Sequence, residues 1–81
     1  MGDIRYFVYG NLSCPYCVEA QNLLSLMELE HVFFVEEEEK ELSYLKSFFN
    51  QNTIPIILSN DLVTGETSLI GGCSDLKERL L

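Results

Sequence analysis

Two cysteines separated by two residues, Cys14 and Cys17, are the side chains of this sequence best suited to carry chemistry. Pro15, which follows the first of them, favours the first position of a helix, because its fixed φ suits that position and it has no N–H to satisfy. Cys14 is then the N-cap residue, and its sulfur faces the positive end of the helix dipole, which favours the nucleophilic thiolate. Cys17 lies on the same helix face one turn deeper. The pair therefore predicts thiol–disulfide exchange in which Cys14 attacks and Cys17 resolves.

Metal binding is the alternative that this spacing leaves open, because two cysteines separated by two residues also occur in structural zinc sites. A zinc ion would need further ligands, and the sequence offers Cys73 and His31 beside Cys14 and Cys17. The redox interpretation is favoured because a strand pattern precedes the cysteines and a proline lies between them. We therefore expect no metal site.

Length and charge limit the classes of protein to which the chain can belong. Its 81 residues suffice for one domain, which we place over residues 1–81. A net charge of −8 with only five lysines and arginines argues against a nucleic-acid partner. No apolar run approaches about 18 residues and no leader pattern opens the chain, so we expect a cytoplasmic protein without a membrane partner. The odd count of three cysteines fits a reducing compartment.

The elements that must position the cysteines begin with a strand–helix–strand pattern. Residues 4–9 are rich in β-branched and aromatic side chains and end at the turn signal Gly10-Asn11. Apolar residues then recur at helical spacing from residue 15 to about residue 29. His31–Val35 is a short apolar run that favours a buried parallel strand.

An acidic run and a second amphipathic helix follow. Residues 36–39, with Glu41, predict a solvated loop and the first turn of a helix, where carboxylates suit the helix dipole. A metal site is less favoured there, since consecutive side chains point in different directions. The helix carries an apolar stripe that we expect in the core: Leu42, Leu45, Phe48 and Phe49.

The last third of the chain predicts two strands and a helix. Residues 56–58 read as a third strand, 59–66 as a connection, and 67–70 as a fourth strand antiparallel to the third. Ser74 and Asp75 can cap a final helix. Together these elements predict an α/β domain of order β-α-β-α-β-β-α, in which three helices are distributed over the two faces of a four-stranded mixed sheet.

Three motifs occur in order: C-P-Y-C at 14–17, T-I-P at 53–55 and G-G-C-S-D at 71–75. With them the whole chain resembles a dithiol glutaredoxin. The resemblance implies a thioredoxin-like fold, a cis peptide bond before Pro55, and a groove for glutathione as co-substrate, with no bound cofactor. It implies a glutathione-dependent oxidoreductase that reduces protein disulfides and glutathione mixed disulfides through the two cysteines of the first motif.

The family's binding roles can be carried onto the matching positions. The backbone of Ile54 would pair with glutathione in the manner of strand addition. The N–H groups of Ser74 and Asp75 suit the γ-glutamyl carboxylate, and the Asp75 carboxylate suits the ammonium group. The glutathione-binding residues that the resemblance predicts are Asn11, Tyr16, Gln51, Thr53, Ile54, Pro55, Gly72, Cys73, Ser74 and Asp75.

Two positions depart from the family pattern. Many members carry Lys or Arg where this chain has Asn11 and Asn52. The missing cations weaken the expected support of the Cys14 thiolate and the expected salt bridge to the glycine carboxylate of glutathione. Gln51, Asn52 or Asn11 would then have to bind that carboxylate through hydrogen bonds.

The resemblance also sets the expected partners and the rival functions. We expect a monomer that acts on glutathione and on disulfide-containing or glutathionylated proteins. One rival is a redoxin that is reduced by thioredoxin reductase, although it would leave residues 71–75 without a γ-glutamyl ligand. Another is an iron–sulfur dimer held by Cys14 and glutathione.

Overall fold

The computed structural model describes residues 3–81, which form a four-stranded mixed sheet and three helices. In chain order the elements are β1 (Ile4–Gly10), α1 (Pro15–Leu26), β2 (His31–Val35), α2 (Glu39–Phe48), β3 (Ile56–Asp61), β4 (Thr67–Gly71) and α3 (Cys73–Leu80). The strand order is β2-β1-β3-β4, with β1 and β2 parallel and the other pairs antiparallel. The predicted order of elements is confirmed.

One face of the sheet, which packs against α1 and α3, forms the main core. Side chains alternate between the faces of a strand, so every second residue of β1 and β3 points toward these helices. The core residues are Tyr6 and Val8 of β1, Ile57 of β3, Ala20 and Leu24 of α1, and Cys73 and Leu76 of α3. All of them are buried, which fixes both helices on the sheet.

The opposite face, on which α2 lies, is covered less completely. Tyr9 of β1 stacks on Phe34 of β2 with ring centroids 4.8 Å apart, and Phe49 lies 6.1 Å from Tyr9. Leu42 is buried, but Phe48 is 68% exposed. The prediction that the whole apolar stripe of α2 lies in the core is therefore wrong for Phe48, whose ring lies beside Tyr44 and Phe49 but stays mostly in solvent.

The strand β2 is an edge strand, whereas the sequence favoured a buried one. It pairs with β1 alone, and its side chains Val32, Phe34 and Val35 are all exposed by more than a third. The apolar run predicted burial on both faces, as in a central parallel strand. The difference arises because the run of apolar residues does not reveal the strand's position in the sheet.

The first helix ends at Leu26, about three residues before the predicted end. Glu28 adopts the left-handed conformation with φ of 56°, and the N–H of Leu29 donates to the carbonyl of Leu24 at 2.9 Å. This is a Schellman ending, and Asn50, with φ of 53°, ends α2 in the same way. No helix within residues 3–81 is both long enough and apolar enough to cross a bilayer.

The hairpin between β3 and β4 is formed differently from the prediction, because β3 continues to Asp61. Only residues 62–66 connect the two strands. The Asp61 carboxylate accepts the N–H groups of Val63 at 2.8 Å and Thr64 at 3.1 Å. Gly65 has φ of 79° and no heavy atom within 4 Å of the position a Cβ would occupy. The turn is therefore held by its own hydrogen bonds and, at its first residue, by one from the Leu62 N–H to the Asp3 carbonyl at 2.7 Å.

Candidate active site

The two cysteines lie where β1 passes into α1, as the sequence predicts. Cys14 is the N-cap residue, with extended φ and ψ of −91° and 115°, and Pro15 begins the helix. The carbonyl of Cys14 accepts the N–H groups of Cys17 and Val18 at 3.1 and 3.2 Å. The strand end and the helix start thus fix the backbone of both cysteines, whose thiols are free.

The two thiols differ in burial, and this difference gives them different chemistry. Cys14 is partly exposed, whereas Cys17 is fully buried. Burial raises the pKa of Cys17 to about 12, an effect that the neighbouring Cys14 thiol increases and a hydrogen bond from the Asn11 backbone opposes. Cys17 therefore stays a thiol at neutral pH, and Cys14 is the sulfur that a substrate can reach.

Close packing against β1 accounts for the burial of Cys17. A Cβ on Gly10 would collide with the Cys17 sulfur and would lie 3.2 Å from its Cβ. Only glycine leaves room for the sulfur at this point of the strand.

The loop before β3 brings its backbone to Cys14. The Ile54–Pro55 peptide bond is cis, which confirms the expectation from the resemblance. The Cys14 Sγ lies 3.9 Å from the carbonyl oxygen of Ile54. The side-chain amide of Gln51 donates to the carbonyls of Thr53 at 3.0 Å and Pro55 at 2.8 Å. Gln51 thus holds the loop, and its amide N–H groups are already used within the chain.

Two glycines and Asp75 form the junction between β4 and α3. Gly71 has φ of 124°, and a Cβ there would lie 2.8 Å from the Asp75 carboxylate carbon, so both conformation and space require glycine. The Asp75 carboxylate accepts the N–H of Gly72 at 2.9 Å. The helix cap is therefore Gly72, not Ser74 or Asp75 as the sequence suggested. Asp75 instead closes the helix start from its third position.

The N-terminus of α3 presents backbone donors beside this junction. The first N–H of α3 that bonds within the helix is that of Leu76, which donates to the Gly72 carbonyl at 3.0 Å. The N–H groups of Cys73, Ser74 and Asp75 come before it, at the positive end of the helix. Such an end can bind a carboxylate.

A groove of about 480 Å³ lies between the Ile54 loop and the start of α3. Its lining consists of Tyr16, Gln51, Thr53, Ile54, Pro55, Gly72, Cys73, Ser74, Asp75 and Lys77. The structure thus brings together every residue that the sequence predicted for glutathione, except Asn11, and adds Lys77.

Asn11 lies against Cys17 and is not among the groove residues. Its side-chain oxygen is buried and has no hydrogen-bond partner within residues 3–81. Its backbone N–H interacts with the Cys17 sulfur. Its role toward glutathione stays a prediction from the sequence.

Lys77 is the groove residue that the sequence analysis missed. It forms an ion pair with Glu19 of α1, and both side chains are 44% exposed. The hydrogen bond with Glu19 raises the pKa of Lys77. Burial raises the pKa of Cys73, with Glu19 adding to the effect and Lys77 opposing it, so both charges lie near the groove wall. The signal in the sequence was the spacing of three residues between Ser74 and Lys77, which places them on one helix face.

The residues of the zinc alternative are not gathered into a metal site. Within residues 3–81, no three His, Cys, Asp or Glu side chains are grouped so that they could hold a metal ion. The Nδ1 atom of His31 lies 2.8 Å from the Leu29 carbonyl oxygen, at the start of β2.

Comparisons with known proteins agree with this geometry. A family model described as Glutaredoxin matches residues 6–63. Glutaredoxin 1 of Rickettsia typhi is 34% identical over 73 residues, which are 85% of this chain and 64% of that protein, so the chain spans less than two thirds of this relative.

Two solved structures share the fold. Glutaredoxin 1 from Francisella tularensis, complexed with cacodylate, superimposes with a TM-score of 0.78 at 23% identity, over 94% of this chain and 91% of that one. A buckwheat glutaredoxin–glutathione complex gives a TM-score of 0.69 at 20% identity, over 96% of this chain and 69% of that one. The predicted thioredoxin-like fold is confirmed.

Proposed function

The chain belongs to the glutaredoxin family, and we propose that it is a glutathione-dependent thiol–disulfide oxidoreductase. The observation that carries the proposal is the position of the partly exposed Cys14 sulfur, 3.9 Å from the Ile54 carbonyl at the edge of the groove. The groove volume of about 480 Å³ falls in the range of small-molecule sites. The buckwheat glutaredoxin, whose fold this chain shares, was solved in complex with glutathione.

Deglutathionylation would use Cys14 alone among the protein's thiols. The Cys14 thiolate attacks the glutathione sulfur of a mixed disulfide, forming a bond to that sulfur while the target leaves as a thiolate and takes a proton from water. A second glutathione, as its thiolate, then attacks the glutathione sulfur bound to Cys14. Glutathione disulfide leaves, and Cys14 returns as a thiolate. The incoming glutathione is therefore the reductant of the target: its sulfur is oxidised, while the glutathionyl sulfur remains part of a disulfide throughout.

Reduction of a protein disulfide would also use Cys17. Cys14 first attacks one sulfur of the substrate, so that the other substrate sulfur is released and a mixed disulfide forms. Cys17 then attacks the Cys14 sulfur, giving a Cys14–Cys17 disulfide and releasing the second substrate sulfur as a thiolate. Because burial holds Cys17 as a thiol, its proton must pass to that leaving thiolate. One glutathione thiolate then attacks the Cys14 sulfur and releases Cys17, which takes up a proton, and a second glutathione thiolate releases Cys14 and leaves as glutathione disulfide.

The groove residues suggest how glutathione would be oriented. Its cysteine would pair with the backbone of Ile54, and its γ-glutamyl carboxylate would accept the N–H groups of Ser74 and Asp75. We assign Gln51 to the loop and not to the ligand, because its amide already donates to two carbonyls. As partners we propose glutathione and disulfide-containing or glutathionylated proteins. We also propose that the protein acts as a monomer and that it is located in the cytoplasm.

Single replacements of the two cysteines test this proposal. We expect Cys14→Ser to abolish both reduction of a small glutathione mixed disulfide and reduction of a protein disulfide. Cys17→Ser should keep the first activity and lose the second, because only the second needs an internal resolving thiol. Both assays are run with glutathione and glutathione reductase. Equal loss of both activities in Cys17→Ser, or reduction by thioredoxin reductase in place of glutathione, would contradict the proposal.

A further inference from the structure

Lys77 is the cationic side chain among the groove residues, and it lies at the end where the γ-glutamyl group is proposed to bind. It follows Ser74 by three residues on the same face of α3. Tyr16 and Cys73 line the same groove, and the Lys77 charge opposes the rise in the pKa of Cys73 that burial causes. A carboxylate held by the first N–H groups of α3 would therefore lie one helical turn from the Lys77 ammonium group.

The Lys77 ammonium group already forms an ion pair with the Glu19 carboxylate. The ion pair joins α1 to α3 across the groove wall, and both side chains are accessible to solvent. The surrounding protein has a net charge of −8, and asparagines stand at positions 11 and 52. An anionic ligand must therefore approach an acidic protein in which the cation of the groove is neutralised by another carboxylate. Two carboxylates then compete for one ammonium group.

We propose that Lys77 binds the γ-glutamyl carboxylate of glutathione and that Glu19 competes with this carboxylate, so that the ion pair sets the affinity for ligands that carry it. This inference rests on the proposed function and adds to it a specificity-determining residue and its competitor. A purely structural role explains the pair poorly, because exposed ion pairs contribute little to stability.

Ligand analogues can locate the carboxylate that Lys77 contacts. S-methylglutathione is an unreactive form of the tripeptide, so calorimetry can measure its affinity without turnover. Replacing its γ-glutamyl residue with 4-aminobutyrate removes only the α-carboxylate and keeps the ammonium group. We expect Lys77→Gln to weaken S-methylglutathione by about fivefold, the upper range for an exposed ion pair, and to change affinity for the 4-aminobutyryl analogue by less than about twofold.

Replacing the competitor should have the opposite effect. We expect Glu19→Gln to strengthen S-methylglutathione binding by about twofold to fivefold, because Lys77 is then free to meet the ligand. The matched control is Glu30→Gln, which removes the same charge from an ion pair with Arg5 that does not involve a groove residue. This control should change the affinity for S-methylglutathione by less than about 1.5-fold, because a charge outside the groove acts on the ligand only through screened long-range electrostatics.

Three results would overturn the inference while the proposed function stands. The first is that Lys77→Gln loses the same factor in affinity for S-methylglutathione and for the 4-aminobutyryl analogue. The second is that the loss of affinity in Lys77→Gln disappears only when the glycine carboxylate of S-methylglutathione is replaced by an amide. The third is an equal gain in Glu19→Gln and Glu30→Gln. A wild-type protein that binds none of the glutathione analogues would instead overturn the proposed function, and the inference with it. Thermal unfolding checks the fold of each variant, and the Glu19→Gln comparison decides the matter if Lys77→Gln does not fold.

Discussion

The two faces of the sheet differ in how closely they are packed, and the cysteines lie on the closely packed one. Leu24, Leu76 and Ile57, between the sheet and the helices α1 and α3, are completely buried. On the α2 face, Phe34 remains 40% exposed and Phe48 68% exposed. The Cys14 thiol and the free backbone N–H groups thus lie at the starts of α1 and α3, the two helices that the core holds against the sheet.

Contact between aromatic rings does not by itself bury them, as the α2 face shows. On the α2 face Phe48 and Phe49 meet edge to face with centroids 4.9 Å apart, yet Phe48 is mostly in solvent. An aromatic pair contributes about 0.5–1.5 kcal/mol beyond its buried area, less than complete burial of a large side chain. No residue of α2 itself lines the groove described above; the loop that follows α2, which contains Gln51 and Ile54, does.

The strongest test of the comparison removes one large apolar side chain from each face. We expect Leu24→Ala to lower the free energy of unfolding by about 2–5 kcal/mol, because it leaves a cavity in a closed core. Phe48→Ala should cost less than about 1 kcal/mol, since little of this ring is buried. Urea unfolding of both variants measures the difference. Similar losses would mean that the α2 face contributes as much to stability as the α1 and α3 face.

A second test asks whether Cys17 depends on this close packing. Gly10→Ala places a methyl group against the Cys17 sulfur, and we expect a loss of about 1–3 kcal/mol and of protein disulfide reduction. The control, Gly65→Ala, meets no atom but is strained by its φ of 79°, at a cost of about 1–2 kcal/mol. Unfolding and both activities are measured together. Full activity in Gly10→Ala would show that the sulfur can shift without consequence.

The smallest expected effect concerns the loop that reaches the groove from the α2 side. Gln51→Ala removes two hydrogen bonds to the carbonyls of Thr53 and Pro55, and we expect a loss of about 1 kcal/mol of stability. The KM for glutathione should rise several-fold while kcat changes less, because the loop backbone is the proposed binding site for the cysteine of glutathione. The control is Ser47→Ala, which changes an exposed α2 residue outside the groove lining. Equal KM values for wild type and Gln51→Ala would rule out this loop-holding role.

Local rules in the sequence were enough to predict much of the fold and the placement of the two cysteines, whereas the groove residues were predicted from the family resemblance. Pro15 placed Cys14 at the helix start, and the turn signal Gly10-Asn11 marked the end of the first strand. These features depend on the conformational limits of single residues, which act wherever the residue occurs. The motif spacing then ordered the three segments that the structure brings together at the groove.

The features that could not be predicted depend on distant parts of the chain. Hydrophobic spacing shows which side chains share a helix face but not whether another element covers them, as Phe48 illustrates. The edge position of β2 is set by the sheet order. The pair of Lys77 and Glu19 joins helices far apart in the sequence, and the α1 ending uses Glu28 where a glycine would have been recognisable.

The tip of the hairpin turn between β3 and β4 is a position at which the protein can be engineered. β3 begins next to Pro55 at the groove and runs for six residues to Asp61, so the turn lies about 20 Å from the groove at about 3.3 Å per residue. The hydrogen bonds at Val63 and Thr64 are internal to the turn and its tip is exposed, which are the conditions under which insertions are tolerated. A fluorescent reporter joined at Thr64 would therefore be carried at the end of the sheet remote from the groove, leaving access to Cys14 open.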